Sequence, residues 1–380
     1  MTLFAALLGW FLCAMAVFGG MFTATAAALF GRFLARSPQG LSATPAVTLM
    51  KPLHGADAWL ADSLEGYCRQ DYPGELQILF GVQDRADPAV AVVRDLQARH
   101  PDLDIGLVID ERLHGPNRKV SNLINIGRRT RHDVLIMSDA DVRVPPDHVR
   151  AIVAALVAPG VGAVSCLYLG QGTGGLWSRA AAMAINYDFL PSAVLAKILG
   201  LAEPCFGPTI AMTSQVLREI GGLSSFAYFL AEDYEIGRAV RARGYAIAVP
   251  PMTMTTLCTE SSVGELLTHE LRWARTIRRI AGAGHIGSVV THPFPLAVIG
   301  AALLGWAPGA IGLIFAILGV RILVKLRIDG ATGANAGPWW LIPLRDVLSF
   351  AVFLASFSSA TVEWQGQRFS VGRDGVLTEL

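Results

Sequence analysis

Charge is scarce in this chain. Only 16% of its 380 residues are charged, against 53% hydrophobic, and the formal net charge is +1. A near-neutral balance removes the electrostatic case for nucleic-acid binding. A mean hydropathy of +0.46 is too high for a purely soluble protein. Cysteine is sparse too: Cys13, Cys68, Cys166, Cys205 and Cys258 form no Cys-x-x-Cys pair and have no histidine at metal-ligand spacing. They read as reduced, mostly buried thiols of a reducing compartment. No Gly-x-x-x-x-Gly-Lys-Ser/Thr occurs, which removes the phosphate-loop ATPase and kinase readings. No Gly-x-Gly-x-x-Gly follows the first strand, and Gly170-Gln-Gly-Thr-Gly-Gly175 reads as a loop after a late strand.

The long apolar stretches begin with residues 2–31, which carry no charged side chain. That run exceeds the ~18 apolar residues of a membrane span. A signal peptide with a site at Ala24-Thr25-Ala26 is the rival reading. No basic residue precedes the run, however, and it is longer than a signal-peptide core. Residues 1–31 therefore read as an uncleaved anchor, and Arg32 and Arg36 place the adjoining domain in the cytoplasm.

After a linker at 37–45, apolar runs at 46–50, 76–82, 104–109 and 134–137 alternate with helical patterns at 56–69, 88–99 and 119–129. Pro145-Pro146 opens a further helix, and 161–168 reads as another strand. Repeated strand–helix units imply an α/β domain over 46–262, with a Rossmann-like, mostly parallel sheet. Its organising stretch is Asp133-Val-Leu-Ile-Met-Ser-Asp-Ala-Asp141. The buried run ends in two carboxylates, Asp139 and Asp141, at the carboxyl end of a strand, where open α/β sheets bind ligands. Such a pair suits a hard divalent cation, Mg²⁺ or Mn²⁺, with phosphate oxygens and water as its other ligands. A solvated acidic loop is the alternative. Lys51, Asp84 and Lys119 fall on the same sheet edge. Asp84 could accept from a base or ribose, and Lys119 could face a phosphate. Singly they read as caps or turns; together they describe a nucleotide-diphosphate pocket.

The second half begins with apolar helices at 176–185 and 190–201, then a tight loop at 204–208. Glu232 and Asp233 open a helix running to Gly244, where acidic residues serve either as first-turn caps or as a general base for an incoming hydroxyl. Residues 263–285 form an amphipathic helix: Leu266, Trp273, Ile277 and Ile280 share one face, and Arg272, Arg275 and Arg279 another. That pattern fits a membrane interface, or more simply a domain surface. The stretch 290–327, broken at Ala307-Pro-Gly309, reads as a transmembrane hairpin, with Lys325 and Arg327 returning to the cytoplasm. A third apolar segment, 338–360, contains Arg345-Asp346, which favours a re-entrant or interfacial element.

The ordered set Lys51-Pro-Leu, Asp84, Asp139-Ala-Asp141, Glu232-Asp233 and His269-x-x-Arg272-Trp273 resembles the membrane-bound glycosyltransferases of family 2, in their ceramide glucosyltransferase-like branch. The resemblance covers about residues 1–370. The local sequences at 113–123, 204–207 and 269–276 are most similar to bacterial hopanoid-biosynthesis glycosyltransferases. The resemblance implies a GT-A-type fold and inverting transfer from a UDP-sugar to a membrane lipid. It implies that Lys51, Asp84, Lys119, Glu232 and His269 bind substrate, and that Asp139 and Asp141 hold the donor diphosphate directly or through the cation. Asp233 would be the base, and Arg272 and Trp273 would close over the diphosphate and the acceptor mouth. The implied pair is UDP-N-acetylglucosamine and bacteriohopanetetrol, at the bacterial inner membrane with the catalytic domain in the cytoplasm. Ceramide or diacylglycerol with UDP-glucose is the alternative. His269 departs from the family's usual Gln or Arg. A processive polysaccharide synthase would need more spans, and a non-catalytic scaffold would be expected to have lost acidic residues.

Overall fold

The computed structural model describes residues 2–203, 205–364, 367–372 and 374–380. They form two compact units, one of Ser37–Tyr168 and Glu203–Leu257, the other of Met1–Arg36, Leu169–Ala202 and Cys258–Leu380. The chain begins with α1 (Leu3–Leu34), capped by Thr2, whose hydroxyl accepts from the Ala5 amide at 3.3 Å. The described part of the expected anchor is thus one unbroken helix.

The first unit then alternates β1 (Val47–Pro52), α2 (Leu60–Cys68), β2 (Leu76–Val82), α3 (Ala89–Arg99), β3 (Asp104–Ile109), α4 (Arg118–Gly127) and β4 (Val134–Ser138). β1 pairs in parallel with β2 and β4, and β2 with β3, so the four apolar runs lie side by side. β5 (Val142–Arg143), α5 (His148–Leu156) and β6 (Val161–Ser165) follow, then β7 (Leu167–Gly172). After the helices α6 (Gly175–Ala184) and α7 (Leu190–Ile198), the unit resumes with β8 (Thr209–Thr213), α8 (Ser214–Glu219), α9 (Glu232–Ala242), β9 (Ala246–Ala248) and β10 (Thr253–Cys258). The seven-stranded sheet has the order β3-β2-β1-β4-β8-β6-β9. β8 runs antiparallel to both β4 and β6, which makes the sheet mixed rather than wholly parallel. Met50, Leu135, Met137, Ile210, Met212 and Ile236 belong to one buried cluster that joins sheet and helices. Burying such side chains contributes roughly 1.5–3 kcal/mol each.

Two expectations change around residue 170. The strand expected at 161–168 is two strands, β6 and β7. β7 runs to Gly172, so the first glycines of the 170–175 run are strand and not loop. The Asn186 side chain explains this: its Oδ1 accepts from the Gly170 amide (2.7 Å) and its Nδ2 donates to the Gly170 carbonyl (3.1 Å). Between α6 and α7 the helix continues through a π turn, Ile185–Phe189. Pro191 has no N–H to offer the Tyr187 carbonyl, and Arg321 Nη1 donates to that carbonyl instead, at 3.2 Å.

The other unit adds α10 (Val263–Ile280), α11 (Gly282–Gly287), α12 (Pro293–Leu303), α13 (Pro308–Thr332) and α14 (Ile342–Ser356). It ends in a three-stranded antiparallel sheet, β11 (Thr361–Trp364), β12 (Gln367–Val371) and β13 (Leu377–Glu379). α1 packs on α12 at small residues: a Cβ on Gly300 would lie 3.0 Å from the Gly9 carbonyl oxygen.

Among the described residues, three helical segments are long and apolar enough to cross a membrane: Leu3–Leu34, Pro308–Thr332 and Trp339–Ser356. α12 has 11 residues, about 16 Å of helix against a ~30 Å hydrocarbon core. It reaches span length only together with Gly282–Thr291, from which it bends by 68°. The break before α13 falls where Gly305 and Trp306 take positive φ. In the last segment both charges, Arg345 and Asp346, are buried and paired. Asp346 accepts from Arg321 Nε (2.9 Å), and Arg345 Nη2 donates to Glu270 at 2.7 Å.

α10 is held at its start by Ser262, whose Oγ accepts from the Glu265 amide (3.2 Å), while Glu265 accepts from the Ser261 amide (2.8 Å). Leu266 is buried, whereas Trp273 and Ile277 are exposed. The arginines on this helix serve a purpose the pattern did not reveal. Arg275 donates to the Thr361 carbonyl (2.8 Å), Arg278 to that of Ser359 (2.8 Å) and Arg279 to that of Val371 (3.0 Å), fastening the carboxy-terminal sheet to the helix.

Candidate active site

Asp139 and Asp141 leave the tip of β4 on a turn that is held from several sides. The Asp139 amide donates to the Pro208 carbonyl at 3.0 Å, and the Leu257 amide donates to the Asp141 carbonyl at 3.2 Å. Thr256 Oγ1 donates to Asp141 Oδ2 at 2.8 Å, from the strand that pairs antiparallel with β5. Under the turn, the fully buried Lys51 donates from Nζ to the Asp139 carbonyl at 2.6 Å. Its ammonium also sits 3.7 Å from the centre of the Tyr67 ring. Burial lowers the Lys51 pKa to about 7, against the pull of Asp141 and Asp139. Tyr67 Oη and Ser138 Oγ share a hydrogen bond of 2.6 Å, and Ser138 Oγ lies 2.9 Å from Thr209 Oγ1. These buried polar groups satisfy one another and fix the floor of the turn.

Lys119 comes from the first turn of α4, which Asn117 caps by accepting from the Val120 amide at 3.0 Å. Its Nζ lies 2.6 Å from Asp139 Oδ1, 2.8 Å from Glu232 Oε1 and 3.3 Å from the Gly207 carbonyl. Asn117 Nδ2 donates to Glu232 Oε2 (3.1 Å) and to the Phe229 carbonyl (2.8 Å), joining the starts of α4 and α9. Burial opposes the Lys119 charge, but Asp139 and Glu232 overcome it and raise its pKa. Burial raises Asp139 to about 6, and the neighbouring Lys119 offsets only part of that. Asp233 follows Glu232 and accepts from the Tyr234 amide at 2.8 Å. Burial, and then the charge of Glu232, push its pKa up to about 7. A Cβ on Gly207 would come within 2.9 Å of Asp233 Oδ2, so only glycine leaves that carboxylate its place.

Six of the residues singled out from sequence, Lys51, Lys119, Asp139, Asp141, Glu232 and Asp233, are thus gathered in one unit. Asp84 is exposed after β2, and its Oδ1 accepts from the Ala86 amide at 2.8 Å. The buried Asp87 does the joining there, accepting from the amides of Gly55 (3.0 Å) and Ala89 (2.8 Å). His269, Arg272 and Trp273 stand on α10, in the other unit. His269 Nδ1 is 2.6 Å from Glu260 Oε1, and its ring meets that of Trp273 edge-on at 4.4 Å. Pro204 lies outside the described residues, so the 204–207 sequence is seen only from Cys205 onward. Asn117 opens the 117–122 stretch that the sequence placed at this edge, and it is the cap of α4. Tyr67 and Thr256 were not singled out, and no signal marked them.

Among the described residues, no group of three or more His, Cys, Asp or Glu is placed to hold a metal. The expected ligands, Asp139 and Asp141, would offer a cation two carboxylates and no imidazole or thiolate. That set fits Mg²⁺ or Mn²⁺, which are commonly held by one or two carboxylates together with substrate phosphates and water.

The mixed sheet, with its acidic turn after a central strand, is the GT-A-like glycosyltransferase fold. A mannosyltransferase from Pyrobaculum calidifontis, solved with GDP-mannose and Mn²⁺, superposes with a TM-score of 0.52 at 20% identity, covering 91% of this chain and 99% of that one. The chain belongs to Glycosyl transferase family 21, whose family model matches residues 8–377. Among named relatives, ceramide glucosyltransferase 1 of Caenorhabditis elegans is 22% identical over 344 residues, 87% of this chain and 72% of that protein. Ceramide glucosyltransferase 3 of the same organism is 24% identical over 365 residues, 88% and 75% of the two chains.

Proposed function

We propose that this membrane glycosyltransferase moves a sugar from a UDP-sugar to a lipid hydroxyl by a single displacement with inversion. The observation that carries this reading is the cluster of Asp139, Lys119, Glu232 and Asp233. It holds three carboxylates with one part-buried ammonium among them, and Asp233 is raised to about 7. A group poised near the working pH is what general-base catalysis needs. Glu232 is committed to Lys119 and Asn117, which leaves Asp233 to take the proton of the acceptor hydroxyl as the new glycosidic bond forms. Lys119 holds a fixed positive charge beside Asp139, where the leaving diphosphate gathers negative charge. A divalent cation held by Asp139 and Asp141 would supply Lewis-acid stabilisation of that same leaving group. Lys51 acts through the Asp139 carbonyl, keeping the turn in place. Asp84 and His269 bind substrate, and Arg272 and Trp273 close over the diphosphate and the acceptor mouth.

The long apolar helices support a lipid acceptor that stays in the bilayer. Arg32 and Arg36 support a cytoplasmic catalytic unit, and the resemblance supports a bacterial inner membrane. Likeness at 113–123 and 269–276 to hopanoid-biosynthesis enzymes supports bacteriohopanetetrol as acceptor and UDP-N-acetylglucosamine as donor. A second reading is ceramide or diacylglycerol with UDP-glucose; the two named relatives, both ceramide glucosyltransferases, support its ceramide form. A side-by-side assay of both donors against hopanoid, ceramide and diacylglycerol acceptors separates them. Glucosylceramide as sole product would remove the hopanoid reading and leave the chemistry intact.

A further inference from the structure

The start of α10 and the strand β11 enclose an open groove of about 580 Å³. Glu265, Thr268, His269 and Arg272 line it from the helix, and Glu363 and Trp364 from the strand. The strand wall is built to stay. Arg275 and Arg278 bond the carbonyls of Thr361 and Ser359 just before Glu363, and Arg279 bonds that of Val371 on the paired strand. The Trp364 ring is backed by Phe369, with centroids 6.4 Å apart. The helix wall is equally fixed, because Glu260 holds Nδ1 of His269. In the neutral tautomer that donates to Glu260, Nε2 is left as an acceptor.

The chemistry of this lining selects its ligand. Glu265 and Glu363 set two carboxylates beside Arg272, so the groove as a whole does not favour an anion such as a phosphate. Carboxylates accept hydrogen bonds from hydroxyls, and the Thr268 hydroxyl and the imidazole can complete a set of contacts to several of them. An indole face beside such groups covers the C–H side of the same molecule. A neutral, polyhydroxylated ring or short chain fits this combination; a simple aliphatic alcohol or a phosphate monoester does not.

We infer that this groove binds a neutral polyol during transfer, and that Glu363 and Trp364 of the carboxy-terminal sheet are specificity-determining residues. The inference rests on the glycosyltransferase reading, and it gives His269 a place in the groove's hydrogen bonding. Two molecules in the reaction offer this chemistry: the polyol head of the acceptor lipid and the sugar of the donor.

The test uses the full chain in lipid nanodiscs, with Trp364→Ala, Trp364→Phe and Glu363→Gln. Acceptor KM is measured by product formation, and the Kd values of UDP and of the UDP-sugar by calorimetry. Trp364→Ala should raise acceptor KM about tenfold, the scale of losing one aromatic anchor. Trp364→Phe should restore most of it, and Glu363→Gln should raise it several-fold. If instead the UDP-sugar Kd weakens by that factor while the UDP Kd holds, the groove takes the donor sugar and the polyol inference stands. If neither moves in Trp364→Phe or Glu363→Gln, nor in a folded Trp364→Ala, the inference is overturned. Absence of transfer to any lipid by the wild type would sink the acceptor reading alone. The groove would then be judged on the two calorimetric constants.

Discussion

Replacing Asp233 by Asn removes the proposed base while keeping the shape of the side chain. The carboxylate is held near Gly207 and accepts from the Tyr234 amide at 2.8 Å, a bond that the amide oxygen of Asn can also accept. The fold should therefore survive. General-base catalysis is worth about 10²–10⁴-fold, so turnover should fall by that order with UDP-sugar binding kept. The wild-type pH profile gives a second, independent signature. Burial and Glu232 raise Asp233 to about 7, and a base works only when deprotonated. Activity should thus rise with pH through about 7, and one unit below that value only about a tenth of the enzyme carries the active form. The residual activity of Asp233→Asn should lose this acid limb. The assay is steady-state transfer from pH 5.5 to 8.5, with donor Kd measured alongside. Unchanged turnover combined with a weakened donor Kd would refute the reasoning and make Asp233 a donor ligand or helix cap.

Other outcomes rest on the same geometry. Asp141→Ala should abolish turnover in a folded protein, and chelation should silence the wild type until Mg²⁺ or Mn²⁺ is restored; full activity of the variant in excess chelator would show that no cation acts there. Arg321→Met should destabilise the protein by about 3–5 kcal/mol, because it leaves the buried Asp346 and its neighbour Asp188 without their cation. Adding Asp346→Asn and Asp188→Asn should recover much of that loss in a thermal unfolding assay, and failure to recover would show that the charge balance is not what matters. A reporter fused near residue 130 should behave as cytoplasmic, whereas labelling of Cys68 by an impermeant reagent in intact cells would reverse the orientation.

The features that could be read from sequence share one physical property: they are local. β1 to β4 are short apolar runs separated by amphipathic helices, so their existence and parallel pairing come from pattern. Asp139 and Asp141 stand out because a buried strand ends in charge. The features that could not be read depend on partners far along the chain. β8 is antiparallel because it lies between β4 and β6, and nothing in its five residues states that. Arg345 and Asp346 look costly in hydrocarbon until Glu270 and Arg321 are seen against them. The basic face of α10 resembles a membrane-surface stripe, yet three of its arginines bond carbonyls up to 92 residues away. The carboxy-terminal sheet rests on Val362, Phe369, Val371 and Leu377, too few apolar residues to form a pattern.

The central claim is transfer of a sugar from a nucleotide donor to a membrane lipid at the Asp139–Lys119–Glu232–Asp233 cluster. Mass spectrometry of lipids after incubating the purified full chain with Mg²⁺, UDP-N-acetylglucosamine or UDP-glucose, and hopanoid, ceramide or diacylglycerol acceptors tests it most directly. The predicted result is one new glycolipid, heavier than its acceptor by one sugar residue and missing from the Asp141→Ala and Asp233→Asn reactions. A product that persists undiminished in those two variants, or sugar released only as free monosaccharide, would contradict it.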